Sequence, residues 1–93
     1  MTTPKTTATQ QAIAEECDAL KAMLLAKNLA YGDSALTPLR IMSKASVEEQ
    51  ILVRIDDKLS RLARGAAAGE DVVQDLIGYL VLLRVQRKLG SSG

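Results

Sequence analysis

The sequence predicts an all-α protein of three main helices plus a short connecting helix, with an antiparallel helical hairpin completed into a bundle by homo-oligomerisation. Three observations carry that prediction. Apolar residues recur at three- and four-residue spacings. Ser46-Val47-Glu48-Glu49 is a capping box that marks a helix start. Gly32 and Gly65 stand where the periodic stretches stop. The 93 residues fit one helical domain over 10–90, between flexible tails at 1–9 and 91–93.

The first nine residues are polar and Thr-rich, so the first helix is placed from near Thr9 to about Ala30. Ile13, Cys17, Leu20, Leu24 and Tyr31 form its apolar stripe, and Cys17 is read as a small buried hydrophobe. Gly32 ends the helix, and the stretch from Gly32 to Leu36 is a turn or short loop. Thr37-Pro38 reads as an N-cap followed by proline at the first helical position, which predicts the short helix from Pro38 to about Lys44. The next helix starts at Ser46, buries a stripe of Val47, Ile51, Ile55, Leu59 and Leu62, and is capped by Gly65. A tight connection then leads to the last helix, and the first helix packs on the resulting hairpin.

That last helix opens with Glu70 and Asp71 and closes with Arg84, Arg87 and Lys88, charges that suit its dipole. Between them it is apolar on nearly every side: Val72, Val73, Leu76, Ile77, Leu80, Val81, Leu82, Leu83 and Val85. Two neighbouring helices cannot cover that circumference, which is the reason for expecting a homodimer or higher oligomer.

Composition excludes several functions. Twelve basic residues against eleven acidic ones give no long-range pull on nucleic acid or anionic membrane, so direct nucleic-acid binding is not expected. One Cys and no His exclude an internal disulfide, a conventional structural zinc site and a His-based triad. The lone Cys suits a reducing, cytoplasmic setting. No apolar region in residues 1–7 suggests a signal peptide, and the last helix is too short and too charged to span a bilayer.

Three charged clusters remain. Asp75 lies in the apolar run Asp71–Leu80, where an unpaired buried carboxylate is too costly to leave alone, so it must reach water or meet a cation. Asp71 and Asp75, one turn apart, can grip a divalent cation such as magnesium or accept from a guanidinium on the preceding helix, and Asp71 alternatively serves as a helix N-terminal charge. On that preceding helix Arg54, Lys58 and Arg61 share a face, with Asp57 four residues before Arg61. They form a solvated row or meet a ligand's phosphate. The third cluster runs from Lys27 through Tyr31-Gly32-Asp33-Ser34 to Arg40: a glycine bend beside Lys, Ser and Arg supplies converging donors for phosphate. Tyr31 and Tyr79 are the only aromatics, and either can stack on a base or simply pack.

Taken together, Lys27-x-x-x-Tyr31-Gly32-Asp33-Ser34, Pro38-Leu39-Arg40-Ile41-x-Ser43, Arg54–Arg61 and Glu70-Asp71-x-x-x-Asp75-Leu76-Ile77-Gly78-Tyr79 resemble small bacteriophage proteins of the nucleotide-modification-associated domain type. The resemblance covers residues 15–86 and implies an all-helical, phage-encoded protein working near nucleotide metabolism. A more distant likeness is to the helical nucleotide pyrophosphohydrolases related to MazG and the dimeric dUTPases, in which paired carboxylates hold magnesium against phosphates. This chain departs from their pattern: Glu15-Glu16-Cys17-Asp18 falls one residue short of the first motif, and Asp71 and Asp75 are separated by three residues where that family has two.

The expectation is therefore a protein that binds a nucleotide or other phosphorylated small molecule, sequestering it or supporting nucleotide modification. Lys27, Ser34, Arg40, Arg54, Lys58 and Arg61 would meet phosphate and Tyr31 or Tyr79 the base, while Asp57, Asp71 and Asp75 would orient the basic groups or hold magnesium and Asp33 would belong to the same ligand-binding set. A magnesium-dependent nucleoside triphosphate pyrophosphohydrolase and a non-enzymatic interaction module, for example an inhibitor of a host protein, are the alternatives.

Overall fold

Where each helix starts and stops follows from its caps. In a computed structural model, which describes residues 6–33, 36, 41–65 and 69–90, the elements are α1 (Thr6–Tyr31), α2 (Val47–Arg64) and α3 (Val72–Gly90). The described residues contain no strand. By its internal contacts the chain divides into two compact units, Met1–Gly32 and Asp33–Gly93.

The first unit is built on α1, which begins three residues before the sequence-based start at Thr9. It ends at Gly32, whose φ of 64° is a left-handed conformation that costs glycine little. Asn28 Nδ2 donates to the Gly32 carbonyl at 3.3 Å, which satisfies one acceptor left over at the helix end. Leu20, Met23 and Leu24 are half-buried, while Ile13, Leu25 and Leu29 are exposed. Cys17 corrects the reading of a buried small hydrophobe: it is exposed. Stripe position alone does not bury a residue, because periodicity names only the apolar side of a helix.

The second unit opens with a turn in which the Leu36 amide donates to the Asp33 carbonyl at 2.8 Å. The short helix expected over Pro38–Lys44 lies partly outside the described residues, and its described part is not helical. Ile41 and Met42 form a bend. Ser43 Oγ then accepts from the Ala45 amide at 3.0 Å, a local bond of the kind that competes with helix propagation.

Ser46 is the N-cap of α2, with extended backbone and its hydroxyl accepting from the Glu49 amide at 3.0 Å. Gln50 Nε2 donates to the Ala45 carbonyl at 3.0 Å and holds the incoming chain against the first turn. At the far end Gly65 takes a φ of 86° and its amide donates to the Leu62 carbonyl. Asp71 starts α3: its Oδ1 accepts from the Gln74 amide at 2.9 Å, and its carbonyl accepts from the Asp75 amide at 3.1 Å.

Helices α2 and α3 pack as an antiparallel hairpin. Ile51 and Ile55, one turn apart, meet Leu83 of α3 in a single buried cluster, against which Leu36, Val47, Leu76 and Tyr79 also pack. Leu59 and Leu62, expected in the same stripe, are instead about half exposed. A cluster with so few fully buried side chains leaves much of α3's apolar circumference at the surface, where Val73, Ile77 and Leu80 stand exposed.

Candidate functional site

Four residues of spacing brings Asp57 beneath Arg61 on α2, where Arg61 Nε donates to Asp57 Oδ2 at 3.1 Å. The same guanidinium reaches across the inter-helix connection: its Nη1 donates to both Glu70 oxygens, at 3.1 and 3.3 Å. Lys58 lies one turn nearer the core, with its ammonium 3.3 Å from Asp75 Oδ2 and 3.8 Å from Glu70 Oε1. These contacts join Asp57, Arg61, Glu70, Lys58 and Asp75 into one chain of ion pairs along the hairpin.

Asp75 therefore meets a cation, and the cation is a lysine, where the sequence left water, a divalent cation and a guanidinium open. The difference matters energetically. The side chains of Lys58 and Asp75 retain 16% and 26% of their exposure, so water reaches both and neither carries the full penalty of a buried charge. Glu70 raises the Arg61 pKa above its ordinary value by accepting a hydrogen bond from it, and the nearby Asp57 charge acts in the same direction. Two cations here face three carboxylates, Asp57, Glu70 and Asp75, so the chain is not an anion-attracting patch.

A second crossing pair joins the helices at their other ends, where Arg87 Nε donates to Glu48 Oε1 at 2.8 Å. The hydrogen bond from Arg87 holds the Glu48 carboxyl below its ordinary pKa, and the bond to Glu48 raises that of Arg87. The two crossings define the hairpin's two faces. Glu48 adjoins Leu52 at one turn, and Arg87 adjoins Leu80 and Arg84 at two turns and one; Lys58 and Asp75 lie on the other side of each helix. One face is tied by the longer ion-pair chain. The other carries Leu52, Leu59, Val73, Ile77 and Leu80, all exposed.

In the first unit, Lys27 and Tyr31 share a face of the last turns of α1, one turn apart. Tyr31 is 72% exposed, and the Gly32 bend follows it directly. Asp33, the residue after the bend, begins the second unit and is exposed. Tyr79, the other aromatic, is half-buried against Ile51, Ile55 and Leu83. An aromatic ring in water beside a lysine one turn away can stack on a flat ligand while the ammonium meets an anionic group.

The residues singled out by sequence thus separate. Asp57, Lys58, Arg61 and Asp75 are engaged with one another and with Glu70, and Asp71 spends one carboxylate oxygen on capping α3. Arg54 is exposed on α2, and Ser34 and Arg40 lie outside the described residues. Among the described residues no three His, Cys, Asp or Glu side chains gather where they could hold a metal ion. None of the described helices is long and apolar enough to cross a membrane. Sequence reasoning missed Glu70 and the Glu48–Arg87 pair. In the sequence Glu70 and Arg87 read as helix-end charges and Glu48 has no role of its own, and the only available signal is the shortness of the connection, which brings the end of α2 to the start of α3.

Comparison with known proteins adds no relative: no family model, no curated protein and no solved structure matches the chain.

Proposed function

We propose that the chain is a homo-oligomeric protein that binds a nucleotide or another phosphorylated small molecule at the end of α1, without turning it over. The observation that carries the reading is the contrast between the two tyrosines. Tyr79 is used in packing, whereas Tyr31 presents its ring to water one turn from Lys27 and directly before a glycine bend. In the proposed complex Tyr31 stacks on the base, and Lys27, one turn away, meets phosphate.

The resemblance of this stretch to small phage proteins associated with nucleotide modification supports the same reading. A phage-encoded protein of this kind, working in the host cytoplasm, would sequester a nucleotide signal or support modified-base synthesis. Lys58 and Arg61 are assigned to hairpin cohesion, because their charges are already met by carboxylates. Binding is preferred over magnesium-dependent hydrolysis because Asp71 caps a helix and Asp75 pairs with Lys58; a hard divalent cation would have to displace both interactions.

A thermal-shift screen with nucleoside triphosphates and cyclic nucleotides, with and without magnesium, tests the proposal. At least one ligand at a hundredfold excess over its dissociation constant raises apparent stability by about 2.7 kcal/mol, with or without the metal. Metal-dependent phosphate or pyrophosphate release that disappears in Asp71→Asn and Asp75→Asn would establish the enzyme instead. A screen with no stabilising ligand would leave the interaction module as the better account.

A further inference from the structure

We propose that the exposed apolar face of the hairpin is the interface with a second copy of this chain, α2 of each copy lying antiparallel along α3 of the other. The inference rests on the homo-oligomer proposed above and supplies its surface and its register.

Leu52 and Leu59 are seven residues apart and fall on one line of α2, while Val73, Ile77 and Leu80 fall on one line of α3. Both lines flank the Glu48–Arg87 pair, so they occupy one face, opposite the Lys58–Asp75 pair. The face is about 27 Å long, from 18 residues of α2 at about 1.5 Å each. With helices spaced at about 8–10 Å it is roughly 20 Å wide. Covering it therefore removes roughly 500 Å² from each copy and about 1,000 Å² in total, the lower limit for a specific interface.

Charge selects the occupant. Beyond the apolar line, the outer edge of α2 carries the exposed Glu49 and Asp56, while on α3 the exposed Arg84 and Lys88, seven and eleven residues after Ile77, continue its line toward the helix end. Acidic groups on the α2 half of the face and basic groups on the α3 half are self-complementary. A two-fold axis parallel to the helices sets α2 of each copy over α3 of the other, so the acidic start of α2 meets the basic end of α3 twice over. The axis preserves level along the bundle, and the Glu48–Arg87 pair shows that the start of α2 lies level with the end of α3. Glu49 then meets Arg84 and Lys88 of the second copy, and Leu59 meets its Val73 and Ile77. Stacking α2 on α2 instead would oppose like charges, which disfavours the other two-fold arrangement.

Sedimentation equilibrium of the full chain across micromolar concentrations is the test, with helicity followed by circular dichroism. Wild type is expected to show a reversible dimer. Ile77→Lys should raise the dissociation constant at least about tenfold, since it places a charge at the centre of the patch. Arg84→Glu and Glu49→Lys should each raise it roughly two- to fivefold, and the two together should restore much of the loss. These two positions are exposed and charged in wild type, so they keep the test valid should Ile77→Lys fail to fold. A monomeric wild type would overturn both the oligomer and this surface. Self-association that none of these variants alters would overturn the surface alone and leave the homo-oligomer standing.

Discussion

The two faces of the α2–α3 hairpin present similar lengths of helix to their surroundings and solve opposite problems. On one, Asp57, Arg61, Glu70, Lys58 and Asp75 meet one another within the chain, and every member of that row has an opposite charge within 4 Å. On the other, the Glu48–Arg87 pair crosses the helices and the middle of the face is Leu52, Leu59, Val73, Ile77 and Leu80, with Glu49, Asp56, Arg84 and Lys88 exposed beside them. The contrast teaches that charge inside an apolar helix need not signal a ligand. The charged face is satisfied by its own residues, while the apolar face is the one left wanting a partner.

Between the faces lies the small core common to both, and breaking it gives the largest effect. Ile51→Ala should cost about 2–5 kcal/mol in chemical denaturation, because it removes a buried side chain from a cluster that holds few others. A loss below about 1 kcal/mol would mean that the hairpin is not the cohesive unit of the fold. Next in size is the charged face. Asp75→Ala leaves Lys58 with only Glu70 at 3.8 Å and should cost about 1–2 kcal/mol, between the value of an exposed pair and that of a fully buried one. A loss of 3 kcal/mol or more would show Asp75 to be far less hydrated than its remaining exposure implies.

The smallest effect belongs to the Glu48–Arg87 pair, which lies open to water. The folded-state pKa of Glu48 is depressed, so the stability it contributes is present above its ordinary value of about 4.5 and is lost as pH falls from there through the lower native value. Arg87→Gln should therefore lower stability slightly at neutral pH, with the difference from wild type vanishing as pH falls through that acid window. Denaturation midpoints between pH 3 and pH 7 check this, and identical profiles for the two proteins would assign the acid dependence to other carboxylates.

Much of this fold was legible in the sequence because it is written in local chemistry. Ser46, Gly32 and Gly65 announce their helix ends through bonds and backbone angles spanning a few residues, and the structure places the caps there. Asp71 likewise begins α3. Tertiary placement was less legible. Cys17, Leu59 and Leu62 sit at stripe positions yet are exposed, because periodicity names the apolar side of a helix without saying how far a neighbour covers it. The need of Asp75 for a cation could be deduced from its apolar neighbours, but choosing Lys58 over Arg54 or Arg61 requires the register of two antiparallel helices. Glu70 was hidden for the same reason: its partners are set by a crossing and not by spacing on one helix.

In the proposed function, the charged face holds the hairpin together while Tyr31 and Lys27 recognise the ligand. Calorimetric titration with the best nucleotide from the screen tests it most directly, using wild type, Tyr31→Ala, Lys27→Ala and Lys58→Ala at a temperature where all four are folded. The account predicts that Tyr31→Ala and Lys27→Ala each weaken binding about tenfold or more, while Lys58→Ala lowers stability and leaves the dissociation constant within about twofold of wild type. Binding abolished by Lys58→Ala and unaffected by Tyr31→Ala would contradict it.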